Sequence, residues 1–101
     1  LSERARKQGG RLVVAYLPLR EACDLPSPER RHRFAREEAR RQGLVFWDLV
    51  EEMRMLPRER IADLFIPEGE VAYPCAAGHY SAAGNAWVAE VIGGKLTDLG
   101  Y

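Results

Sequence analysis

Residues 11–17 read Arg-Leu-Val-Val-Ala-Tyr-Leu, and this run decides the fold class. Leu12 to Leu17 are apolar without alternation and rich in β-formers, and Pro18 stops the run. A strand with one wet face alternates apolar and polar residues. One without alternation is covered on both faces, as in the middle of a parallel sheet.

Helical patterns lie on either side of this run. Residues 2–8 look like the last turns of a polar helix closed by Gly9-Gly10. After Pro18, residues 19–26 read as a loop. Ser27-Pro28-Glu29 then opens a helix, with Ser27 as N-cap, Pro28 at the first helical position and an acid in the first turn. That helix reaches about Gln42, where Gly43 closes it. Its apolar stripe is thin (Phe34, Ala35 and Ala39), and Arg and Glu at helical spacing give it a solvated face. His32 is expected to be exposed there.

Leu44-Val45-Phe46-Trp47 is a second short strand, ended by Asp48. By position Asp48 suits either a site or the capping of a helix from Leu49 to Met55, which Pro57 stops. Residues 58–78 are irregular, with a short helix at 58–63 and an apolar Leu64-Phe65-Ile66. The last helix is expected from Ala82 to Ile92, with Trp87, Val88, Val91 and Ile92 on one face and Gly93-Gly94 as its end. Trp47 and Trp87 are expected in the core.

Helices alternating with apolar strands mean an α/β fold with parallel strands and right-handed crossovers. Two strands are too few to cover residues 12–17 on both edges. Residues 1–101 are therefore expected to be part of one domain rather than the whole of it. Upstream sequence or a second copy of the chain would complete the sheet. The chain also opens at Leu1 in a charged helical stretch, as if cut from something longer.

Composition narrows the classes. The 101 residues suffice for one small domain, and 47% of them are hydrophobic, so a packed core is expected. Fifteen basic residues balance fifteen acidic ones, which argues against nucleic acid or an anionic membrane as partner. The arginines of residues 30–41 are interspersed with Glu37 and Glu38 and read as a solvated helix face. No segment approaches the ~20 apolar residues of a membrane span, and no signal peptide is visible. Cys23 and Cys75 lie in no metal-ligand spacing, so neither metal nor cofactor is expected. Cys75, four residues before His79, reads as a small loop residue rather than a nucleophile.

The stretch that carries chemistry is Ala77-Gly78-His79-Tyr80-Ser81-Ala82-Ala83-Gly84-Asn85-Ala86-Trp87-Val88-Ala89-Glu90. A histidine sits in a loop two residues before Ser81, a good N-cap for the final helix. The positive end of a helix disfavours an imidazolium beside it, which leaves the ring able to take a proton. Loops at the carboxyl ends of parallel strands are where α/β folds build their sites.

This segment resembles the last block of the SGNH (GDSL-like) hydrolases, in which a histidine is followed by a small helix-capping residue, a glycine and an apolar helix. Leu12–Leu17 resembles that family's late core strand, the 27–42 helix the crossover after it, and Leu44–Leu49 the strand and aspartate before the histidine loop. The resemblance implies that residues 1–101 are the C-terminal part of a single domain, a three-layer α/β/α, flavodoxin-like sandwich, and that its chemistry is hydrolysis or transfer of acyl groups at an ester. His79 would be the general base for a serine. The family's Gly-Asp-Ser nucleophile block and its oxyanion-hole glycine and asparagine blocks do not occur here. Ala76 and Ala77 also stand where the family places an aspartate. Asp48, Asp63, Glu68 or Glu70 would orient the ring through the fold instead, or a two-residue Ser-His arrangement would serve without an acid. The expected substrate is an ester or an acylated small molecule or carbohydrate. The competing expectation is a non-catalytic module of the same fold that binds carbohydrate or a protein partner.

Overall fold

The computed structural model describes residues 1–20, 28–67, 69–70 and 78–101. The chain divides into two compact units, Leu1–Tyr16 with Leu25–Asp48, and Leu17–Asp24 with Leu49–Tyr101. The fold class is α/β.

The first unit holds α1 (Ser2–Lys7), β1 (Val13–Tyr16), α2 (Pro28–Arg41) and β2 (Val45–Asp48). β1 and β2 are parallel, with Val13 opposite Val45 and Tyr16 opposite Asp48. The connection between them is α2, which contacts both strands. The proposed cap Ser27 lies outside the described residues. At the other end of α2 the chain must turn at once into β2, and Gly43 takes a φ of +67° to do so. The Gly43 N–H donates to the Arg40 carbonyl (3.1 Å) and the Leu44 N–H to the Ala39 carbonyl (2.9 Å). These bonds occupy carbonyls that the helix end leaves unpaired.

The strands are less covered than their sequence implies. Every residue of β2 is half-buried, Trp47 included, so Trp47 is not core. In β1 Ala15 is exposed. Each strand has one partner among the described residues, and only Ala39 in this unit is fully buried.

The inner face of α2 also differs from expectation. Phe34 is 67% exposed. The helix turns His32, Ala35 and Ala39 inward instead, at spacings of three and four. His32 is thus half-buried, not exposed, because the sheet offers its ring two partners. Asp48 Oδ2 lies 2.8 Å from Nε2, and the Tyr16 ring lies at a centroid distance of 4.9 Å. One turn along α2, Arg36 donates to the same carboxylate oxygen at 2.6 Å. Tyr16 and Asp48 close their strands side by side, so this cluster pins α2 to the carboxyl end of the sheet. Asp48→Ala removes the carboxylate that both side chains, His32 and Arg36, share. A loss of ~1–3 kcal/mol in urea-unfolding free energy is expected, with the low end favoured by the exposed Arg36. An unchanged midpoint would reduce the cluster to surface decoration.

The second unit holds α3 (Leu49–Arg54), α4 (Arg58–Asp63) and α5 (Ala82–Asp98). Its core is Leu49, Met53, Leu64, Phe65 and Trp87. α5 does not stop at Gly93-Gly94, but continues to Asp98. Glycine inside a helix costs about 1 kcal/mol, which weakens the helix without ending it. The added turns are held by the half-buried Lys95 and Leu99, and Lys95 Nζ pairs with Glu52 Oε1 on α3 at 2.9 Å. The true stop is Gly100, at a φ of +91°. Its N–H donates to the Thr97 carbonyl (2.9 Å) and that of Tyr101 to the Leu96 carbonyl (3.0 Å), the same ending that Gly43 gives α2. Among the described residues no helix is long and apolar enough to cross a membrane.

Candidate functional site

His79 lies on a short extended segment that the main chain fixes tightly. Phe65 and Tyr80 form an isolated antiparallel bridge. The Ile66 N–H donates to the His79 carbonyl at 2.8 Å, the Gly78 N–H to the Ile66 carbonyl at 3.3 Å, and the Ser81 N–H to the Leu64 carbonyl at 3.0 Å. Residues paired across a bridge share a face, and their neighbours take the other. Phe65 and Tyr80 accordingly stack their rings at a centroid distance of 5.1 Å, with Phe65 buried. His79, one residue earlier, is directed away from that stack and is exposed.

Ser81 turns the segment into α5. Its backbone is extended, and its Oγ accepts from the Gly84 N–H at 3.1 Å, capping the helix as its sequence position predicts. The same hydroxyl donates to the Asp63 carbonyl at 2.7 Å, tying α5 to the end of α4. Gly84 is buried against the Leu64 backbone.

Tyr80 anchors the other side. Its hydroxyl donates to the Pro18 carbonyl, and burial pushes its phenol up to about 12. The folded chain therefore holds this proton more tightly than the unfolded chain, whose phenol titrates near ~10. The stability tied to it is complete below about pH 10 and is lost as pH rises toward about 12. Melting temperatures recorded across that window should fall more steeply for the native chain than for Tyr80→Phe. Parallel curves would contradict this.

The candidate acids are scattered. Asp63 is exposed and offers its main-chain carbonyl, not its carboxylate, to Ser81. Glu70 is exposed in a turn, its N–H 3.4 Å from the Pro67 carbonyl. Glu68, Cys23, Cys75, Ala76 and Ala77 lie outside the described residues. Asp48 belongs to the first unit, where His32 and Arg36 hold Oδ2. Among the described residues no three His, Cys, Asp or Glu side chains are grouped so as to hold a metal.

Sequence reasoning missed the cluster of Tyr16, His32, Arg36 and Asp48. The available signal was the spacing of His32 from Ala35 and Ala39, which places its ring on the buried stripe. Chemically, the His79 segment offers an exposed imidazole on a backbone that three main-chain bonds keep from drifting. Such a ring can exchange a proton with a group brought to it without reorganising the loop. Comparison with models of known protein families, with curated protein sequences and with solved structures finds no match to this chain.

Proposed function

We propose that this chain is the C-terminal part of an SGNH-like esterase or acyl hydrolase, in which His79 is the general base. The whole domain would be a three-layer α/β/α sandwich with further parallel strands flanking β1 and β2. The observation that carries this reading is the build of the 78–84 segment. An exposed histidine, a capping serine and a glycine pressed on the neighbouring backbone form one stiff entrance to α5. The half-covered apolar strands support the need for additional sheet.

In the proposed reaction a serine from upstream sequence gives its hydroxyl proton to the His79 ring as its oxygen attacks the ester carbonyl. The imidazolium then returns that proton to the departing alkoxide, leaving an acyl-enzyme. Water, deprotonated by the same ring, releases the acid. An orienting carboxylate would come from Asp63, Glu68 or Glu70, or the serine and His79 would work as a pair. The substrate would be an ester or an acylated small molecule or carbohydrate.

The test is a fluorophosphonate probe applied to the full-length protein. Covalent labelling of one serine in a Gly-Asp-Ser context is expected, with loss of esterase activity in proportion. No labelling would favour a non-catalytic module that binds carbohydrate or a protein partner, a reading to which Ala76 and Ala77 already lean.

A further inference from the structure

The second unit contains a cavity of about 520 Å³ between the 17–20 segment and helices α3 and α4. Its apolar lining includes Met53 and Phe65, both buried, with Ile61 and the half-exposed Leu19. Among the described residues that line it, the charged groups are Arg20 and Arg58, and none is an acid. Among the described residues Arg20 and Arg58 have no carboxylate partner. Two guanidinium groups thus stand, without a carboxylate partner among the described residues, at an apolar cavity of ordinary ligand size.

We propose that this cavity binds a free fatty carboxylate of medium chain length. Guanidinium groups present forked donors that match a carboxylate, and the bonds they make to it are charge-assisted. The hydrocarbon chain covers Met53, Ile61 and Phe65 and removes Leu19 from water, which supplies the non-directional part of the affinity. Neither part suffices alone: an alcohol of the same length leaves the guanidinium groups unused, and a bare anion leaves the apolar wall wet. The site is separate from the histidine segment, because the side chains of Phe65 and His79 leave opposite faces of the 65–80 bridge. It therefore stands or falls independently of the hydrolase reading.

Decanoate, decanol and inorganic phosphate serve as probes against the native chain, followed by melting temperature and by the methyl resonances of Met53 and Ile61. Decanoate is expected to raise the melting temperature and shift both methyls, and the other two to do neither at equal concentration. Combining Arg20→Gln with Arg58→Gln should weaken decanoate at least ~tenfold, whereas Arg54→Gln, outside the cavity, should leave it unchanged. Both arginines are exposed, so their replacement leaves the core intact. Equal binding of decanol, binding of phosphate alone, unshifted Met53 and Ile61 methyls, or undiminished affinity in the double variant would each overturn the assignment.

Discussion

Replacing Gly84 by alanine is expected to destabilise the chain by about 3 kcal/mol or more, a fall of roughly 10–20 °C in melting temperature. A Cβ at this position would sit 2.0 Å from the Leu64 carbonyl oxygen, 2.9 Å from its carbon and 2.8 Å from Tyr80 Cδ1. Two of these three atoms are backbone and have no rotamer to yield. The helix itself must move. Moving α5 away from Leu64 breaks the Ser81 bonds to the Leu64 and Asp63 carbonyls, which also position the turn bearing His79. Gly93 and Gly94 are the internal control, for they lie in the same helix with open space where a Cβ would go. Alanine at either should stabilise by about 0.4–1 kcal/mol. A Gly84→Ala chain that melts within a few degrees of the native one would show that α5 does not pack on residues 64–66 this closely.

The local rules of the sequence were good guides wherever a single residue type sets the backbone. Gly43 ended α2, Ser81 began α5, and the apolar runs Leu12–Leu17 and Leu44–Trp47 yielded the parallel strands Val13–Tyr16 and Val45–Asp48. They failed where tertiary partners outweigh local preference. Gly93-Gly94 reads as a stop, yet the pair of Lys95 with Glu52 and the burial of Leu99 carry the helix to the next glycine, Gly100. Phe34 reads as core on hydropathy alone, yet the helix turns His32 inward because Tyr16 and Asp48 wait for it across 16 residues of chain. A polar residue becomes favourable inside only when its partner is in place, and single-residue scales carry no information about partners. The same limit applies to the candidate acids. Asp48, Asp63, Glu68 and Glu70 are equivalent in the sequence. The contacts separate two of them, with Asp48 committed to His32 and Arg36 and Asp63 joined to the site through its main-chain carbonyl.

On the proposed esterase reading, His79→Ala in the parent protein should lower kcat/KM for a short chromogenic ester by roughly 10²–10⁴-fold, the usual contribution of a positioned general base. The proposed role places the loss on kcat with KM nearly constant, since a general base exchanges its proton in the transition state and does not hold the ground-state substrate. Stability separates this variant from Gly84→Ala. His79 is exposed, and the bond that fixes its segment uses its main-chain carbonyl, which alanine keeps. The melting temperature should therefore stay close to native while activity disappears. His79→Gln should be equally inactive, because an amide nitrogen takes up no proton at neutral pH. Added imidazole should restore part of the rate to His79→Ala by entering the space the ring has left, and should do nothing for a variant lacking the serine. Turnover near the native level in the folded His79→Ala protein would remove the base from the mechanism, and the exposed ring on its stiff turn would then be a binding contact.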